Sequence, residues 1–388
     1  MTGTPLAEAP VDVVCLGESM VTFLPSRPGR LADVPAFARA IGGAESNVAC
    51  VLAAAGHRAR WVGRVGRDGF GDHLVDAIAA YGVDVSAVRR DAARPTGIYF
   101  RTATDRANDT HEVAYYRAGS AASAMSPLTV PYDSVAGGRI LHLSGITAAL
   151  SADCLALMRT LTAPRPARPL VSFDVNHRPA LWRGVPGAGV LLELARGADL
   201  VFVGEDEARQ VWGLSGPTAI RAALPEPAVL VVKRGAAGAV VFARAPGPRH
   251  AGAEAVPAPA GDTASSPSSA ALPSVAAASP APAGGPGSVP AQDTVTAVPA
   301  PVVEVVAPVG AGDGFAAGFL SATLRGLGPR ERVRYGHLMA AAALTVPGDL
   351  AAPPRRTHAD RLVALDDAAW ETLHLGPGWT GEDQEVRP

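Results

Sequence analysis

The run from Val302 to Leu327, VVEVVAPVGAGDGFAAGFLSATLRGL, constrains this chain more than any other stretch. Its β-branched start, Val302–Val306, predicts a short strand. Phe315, Phe319 and Ala322 then recur at helical spacing, with Leu320 and Leu324 as a second pair, up to a stop at Gly326. Between strand and helix, Gly310-Ala311-Gly312-Asp313-Gly314 predicts a turn with unhindered N–H groups at a helix N-terminus. Orphan N–H groups and the helix dipole both favour an anion there. A carboxylate in such a turn repels phosphate, so Asp313 is out of place in a purely binding loop. It makes sense as a general base where a transferred phosphoryl group meets an attacking hydroxyl. It is equally compatible with a plain helix N-cap.

Other glycine motifs fit less well. Gly312 to Ala317 matches G-x-G-x-x-A, but a lone match late in the chain is weak support for a dinucleotide site. A Walker A loop needs Gly-Lys-Ser/Thr, and the only lysine, Lys233, lies in Val-Lys-Arg.

The remainder of the chain alternates apolar strands with helical segments. Val11–Leu16, 140–143, 170–173, 200–203 and 229–233 are continuous apolar runs, and each ends in glycine or polar residues. Helical patterns fall at 154–161, 190–196, 218–224 and 335–346. This order predicts an α/β/α sandwich on a mostly parallel sheet, with ligands at the carboxyl ends of the strands. Val21–Leu24 and Phe37–Ile41 read as short strands, and Thr96–Thr102 and Glu112–Arg117 as a hairpin with Asn108-Asp109 at its turn. Residues 245–300 are almost wholly Ala, Pro, Ser, Gly and Thr, which predicts a disordered insertion, and residues 376–388 read as a polar tail. The folded domain is expected over 11–375.

A net charge of −2 over 388 residues suggests neither nucleic acid nor an anionic membrane as partner. Cys15, Cys50 and Cys154 are far apart, as in a reducing cytosol without disulfides or a zinc site. No segment has the roughly 20 apolar residues of a membrane span, and the N-terminus lacks the pattern of a signal peptide. The expected location is cytoplasmic.

Val309-Gly-Ala-Gly-Asp313-Gly-Phe-Ala-Ala-Gly318 resembles the C-terminal signature of the ribokinase-like (PfkB) carbohydrate kinases. Gly42-Gly43-Ala44-Glu45-Ser46-Asn47-Val48-Ala49 is similar to their sugar-binding turn, and Gly63 to Gly71 to their N-terminal signature. The resemblance implies a ribokinase-like three-layer α/β/α sandwich, with the strands at 21–24, 37–41, 96–102 and 112–117 forming a small sheet as a lid that excludes water during phosphoryl transfer. It also implies ATP and Mg2+ as cofactors, Asp313 as base, and the backbone of Gly310, Ala311 and Gly312 as anion hole.

Within the family, Gly43 to Asn47, Tyr115-Tyr116-Arg117, Asp174 to Arg178 with Leu181-Trp182, and Val203 to Glu207 resemble 2-keto-3-deoxygluconate kinases. A sugar acid carries a carboxylate that a guanidinium fork holds well. Arg117 and Arg178 are the arginines assigned to it, while Gly43, Asn47, Tyr99 and Tyr115 are implied to face the sugar. Glu207 occupies the family's magnesium-ordering position, Lys233 and Gly235 fall where the nucleotide is held, and residues around 347–349 where relatives line the adenine pocket. Two departures stand out. Ala307-Pro308 replaces the family's Asp-Thr, which puts monovalent-cation activation in doubt, and Gly204 replaces an Asn near the magnesium position. Related enzymes are often dimers or larger, so a homo-oligomer is compatible.

Overall fold

The computed structural model describes residues 10–102, 112–182, 187–244 and 293–381. Sixteen strands among these residues are numbered in chain order. The central sheet comprises β1 (Val11–Leu16), β4 (Ala59–Val62), β9 (Gly138–Ser144), β10 (Leu170–Asp174), β11 (Leu200–Gly204), β12 (Val229–Lys233), β13 (Ala239–Ala243) and β14 (Thr294–Val298). Their spatial order is β14-β13-β12-β11-β10-β9-β1-β4. From β4 to β12 every pairing is parallel, and β12, β13 and β14 close the edge as an antiparallel meander.

The continuous apolar runs are explained by two cores, one on each face of the sheet. Val13 and Cys15 of β1 join Phe202 and Val231 in a core with the helices Ala44–Ala54, Ala311–Leu324 and Pro329–Leu344. Val14 and Leu16 point the other way, joining Phe173, Val201 and Val232 beneath the helices Ala152–Thr162, Gly187–Arg196 and Glu205–Trp212. Successive side chains alternate between faces, so a strand covered on both sides must be apolar at every position. Phe319 meets Phe202 edge-on with centroids 5.4 Å apart, which docks the Asp313 helix onto the middle of the sheet. The same helix lies close against Pro329–Leu344. A Cβ at Gly314 would sit 2.7 Å from the Met339 carbonyl oxygen, so glycine is what allows that approach.

The small sheet is present as β2 (Met20–Pro25), β3 (Phe37–Gly42), β7 (Ile98–Arg101) and β8 (Val113–Tyr116), in the order β3-β2-β7-β8. Its two faces differ. Phe23 stacks on Phe100 at 4.6 Å and Phe37 meets Phe100 edge-on. Tyr99 and Tyr115, one residue out of phase with that aromatic row, turn toward the large sheet. Short pairs β5 (Arg64–Gly66) with β6 (Arg89–Asp91), and β15 (Val302–Val303) with β16 (His374–Leu375), complete the strands. Among the described residues no helix is long and apolar enough to cross a membrane.

Four local expectations need correction or lie outside the described residues. The strand predicted over 302–306 is only two residues long, because its partner β16 offers only His374 and Leu375. The predicted insertion reaches too far: Thr294–Val298 carries β-branched residues at three of its alternating positions and pairs with β13, while 245–292 lie outside the described residues. The tail begins too early, since Trp379 is 2% exposed in the core and only 382–388 lie outside the description. The Asn108-Asp109 turn also falls outside the described residues.

Candidate active site

The Gly310–Gly314 segment is the first turn of a helix rather than a loop before one. Gly310 is the N-cap at φ +72°, and the first intrahelical bond runs from the Gly314 N–H to the Gly310 carbonyl at 2.8 Å. The N–H groups of Ala311, Gly312 and Asp313 therefore have no acceptor within the helix. They border a cavity of about 1160 Å³ between the lid and the carboxyl ends of the central strands. Asp313 is not the N-cap. It sits in the first turn, and its Oδ2 accepts from Asn47 Nδ2 at 2.8 Å.

Burial pushes the Asp313 carboxyl up to about 7, helped by the nearby negative charge of Asp174. The Asn47 hydrogen bond and the charges of Arg178 and Lys233 act in the opposite direction. A carboxyl near neutrality can accept a proton and release it again. The Oδ1 of Asn47 is buried without a partner, so it is an acceptor held in reserve at the cavity edge.

Lys233, at the end of β12, places Nζ 2.9 Å from Asp174 Oδ2 at the end of neighbouring β10. A Cβ on Gly312 would come no closer than 3.7 Å to that ammonium, so the lysine stands beside the open first turn of the helix. Its pair with Asp174, together with Glu207, raises the Lys233 pKa against the opposing effect of burial. Glu207 caps its own helix: Oε2 accepts from the Gly204 N–H at 3.0 Å and Oε1 from the His177 N–H. Burial and the charge of Asp174 raise its pKa.

On the lid side, Arg117 reaches from just beyond β8 to the buried carboxylate of Glu18, which also accepts from Ser120 Oγ at 2.8 Å. The Arg117 Nε is buried and unpartnered. Arg178 is exposed at the opposite rim and donates to the carbonyl of His177 at 3.3 Å. Gly43 is a steric requirement, since a Cβ there would lie 2.5 Å from the Glu18 carbonyl oxygen.

Twelve residues singled out from the sequence thus border one cavity: Gly43, Asn47, Tyr99, Tyr115, Arg117, Arg178, Glu207, Lys233, Gly310, Ala311, Gly312 and Asp313. Gly235 does not; it lies in an exposed 3-10 turn at φ +56° beyond β12. Sequence reasoning missed Glu18, Asp174 as the partner of Lys233, and Arg101. The position of Glu18 two residues beyond the end of the first strand was the available signal. Asp349 accepts from the Tyr99 hydroxyl of the lid at 2.7 Å.

Comparison with known proteins identifies the family. The pfkB family carbohydrate kinase model matches residues 11–266 and 283–356. A 2-dehydro-3-deoxygluconokinase of Bacillus subtilis is 31% identical over 352 residues, covering 89% of this chain and 93% of its own length. One from Thermoproteus tenax is 34% identical over 244 residues, covering 62% and 74%. The crystal structure of a PfkB protein from Polaromonas sp. JS666 superposes with a TM-score of 0.68 at 32% identity, covering 92% of this chain and all of that one. A helix N-terminus facing a lidded cavity, matched along nearly the whole chain, leads to one conclusion: this protein belongs to the PfkB family of carbohydrate kinases, which transfer a phosphoryl group to a sugar hydroxyl.

Proposed function

We propose that the enzyme phosphorylates the C6 hydroxyl of 2-keto-3-deoxygluconate (2-dehydro-3-deoxygluconate) from ATP, giving 2-keto-3-deoxy-6-phosphogluconate. The observation that carries this is the position of Asp313. Its carboxylate is buried, bonded to Asn47 at 2.8 Å, and in the same helical turn as the free N–H groups. In the proposed reaction the hydroxyl attacks the γ-phosphorus in line, its proton passes to Asp313, and ADP leaves. The N–H groups of Ala311 and Gly312, with Lys233 beside them, stabilise charge on the transferring phosphoryl oxygens. The substrate assignment draws on the two 2-dehydro-3-deoxygluconokinase relatives and on Arg117 and Arg178 at the cavity wall.

The site fits magnesium held through water and phosphate rather than in a protein cage. Both Glu207 oxygens already accept backbone N–H groups, and the described residues contain no group of three or more His, Cys, Asp or Glu suited to a metal. Such an ion supplies charge neutralisation on the phosphates. Glu207 would hold it through a water molecule.

A second reading, a neutral ketose such as fructose, is favoured by one observation: Arg117 is already paired with Glu18, and Arg101 with Asp349. A coupled ADP-release assay with 2-keto-3-deoxygluconate, fructose and ribose separates the two. Turnover confined to the keto-deoxy acid is expected. Turnover with fructose instead would keep Asp313 and the anion hole but overturn the substrate.

A further inference from the structure

The helix Ala44–Ala54 starts at Gly43, which gives it no side-chain cap, yet Glu45, Ser46 and Asn47 of its first turn are all buried. Successive helix positions point about 100° apart, so the three side chains reach different elements. Asn47 meets Asp313, and Ser46 Oγ bonds Ser19 Oγ at 3.0 Å. Glu45 does not border the cavity; it reaches the ends of β1 and β9 instead. Its Oε1 accepts from Ser144 Oγ and Thr147 Oγ1, each at 2.8 Å, while its Oε2 is buried without a partner. Gly17, directly after β1, makes room for this carboxyl: a Cβ there would lie 2.1 Å from Glu45 Cδ. Among the described residues no arginine or lysine bonds it, and the titratable groups that face it are Glu18 and Cys15. Burial pushes the carboxyl up to about 7; the two hydroxyl bonds oppose that and the charge of Glu18 adds to it. A fully buried acid with hydroxyl donors and no cation fits the neutral form.

We propose that Glu45 is a positioning residue whose buried carboxyl locks the first turn of this helix onto the ends of β1 and β9, and so keeps Asn47 aimed at Asp313. The two hydroxyls come from the end of β9 and from the short helix Gly145–Ala148, so one oxygen joins three segments. The first backbone bond of the helix runs from the Asn47 N–H to the Gly43 carbonyl at 2.8 Å, and leaves the Asn47 side chain facing the Asp313 helix. If the turn rotates, the Asn47 side-chain bond lengthens, and Asp313 loses a donor that favours its charged form. Glu45 touches neither substrate and acts through Asn47. The kinetic part rests on the reading of Asp313 as the base; the anchoring of the turn does not.

The test uses three variants that leave Asn47 and Asp313 in place. Gly17→Ala pushes the carboxyl off its hydroxyls, Thr147→Val deletes one donor at nearly constant shape, and Glu45→Gln keeps an oxygen that can accept both. Asn47→Ala and the double variant G17A/N47A complete the set. G17A should lower kcat/KM for sugar about tenfold or more and move the acidic limb of its pH profile to higher pH, with KM for ATP unmoved. T147V should shift the limb less, in the same direction. E45Q should stay within about threefold of wild type with the limb in place. The G17A/N47A enzyme should be no worse than N47A alone, because both changes act on one bond. Amide hydrogen exchange reads the anchoring without substrate: protection at Asn47 and Val48 should fall in G17A and T147V and persist in E45Q, with β10 to β12 unchanged. Lower melting temperatures with a wild-type kcat/KM and limb would make Glu45 a stability element alone and overturn the proposal. Additive penalties in G17A/N47A, an E45Q enzyme as impaired as G17A, or unaltered exchange in the first turn would overturn it too. If G17A does not fold, T147V and E45Q carry the same test. If Asp313→Asn keeps its activity, the base reading falls instead, and exchange alone decides whether Glu45 anchors the turn.

Discussion

Asn47 Nδ2 donates to Asp313 Oδ2 at 2.8 Å, joining the first turns of two helices whose residues lie 266 positions apart. One helix follows Gly42 and Gly43, proposed to face the sugar, and the other follows Gly310 of the proposed anion hole. The bond therefore orients the proposed base with respect to both substrates. It also opposes the effect of burial, which alone would keep the carboxyl protonated well into the neutral range.

The first prediction concerns the pH profile. With Asp313 near 7, kcat/KM should rise with pH through that region as the base loses its proton. Asn47→Ala removes a bond that favours the charged form, so the acidic limb should move to higher pH. A pH–rate series on both enzymes checks this. A limb that stays put would mean the limb belongs to another group.

The same carboxyl should penalise stability in alkali. Its folded pKa lies above the unfolded value of 3.8, so the folded state binds the extra proton and stability falls as pH rises through about 7. Asp313→Asn cannot ionise. Its melting temperature should exceed that of wild type at pH 8, and the gap should narrow toward pH 5. Its kcat should drop on the order of 10²- to 10⁴-fold while ATP still binds. A kcat within a few fold of wild type would remove Asp313 as the base.

Arg117 and Glu18 form a buried pair, with side chains 10% and 0% exposed. Arg117→Ala leaves the Glu18 carboxylate uncompensated and should cost about 3 kcal/mol of stability. Adding Glu18→Gln should recover part of it, measured by urea denaturation. Kinetically, R117A should weaken a sugar acid far more than a neutral ketose. Equal weakening of both would assign Arg117 to structure alone.

Two glycines in the same turn should behave differently. Gly310 has φ +72°, and a Cβ there would collide with the Asp349 carbonyl, so Gly310→Ala should fold poorly. Gly312 has no neighbour nearer than 3.7 Å to its added Cβ. Gly312→Ala should keep a near wild-type melting temperature yet raise KM for ATP and lower kcat, because the methyl group stands where phosphate oxygens approach. Wild-type kinetics in G312A would argue that phosphate does not sit there.

By itself the sequence determined the two-core sandwich, because uninterrupted apolar strands are stable only when both faces are covered. Its β-branched and aromatic runs marked strands of the small sheet as well, while their assembly as a lid was implied by the family resemblance. Local glycine and helix signals also marked the glycine turn that opens the Asp313 helix. The pairings across the cavity were decided only by tertiary structure. That Asp313 meets Asn47, Arg117 meets Glu18 and Tyr99 meets Asp349 depends on segments 266, 99 and 250 residues apart. No periodicity or capping rule reports such distances. Asp349 shows the reason most clearly: in the chain it is one acid after Pro-Gly, and its contacts arise only because β7 folds over that loop and brings a phenol and a guanidinium to its carboxylate.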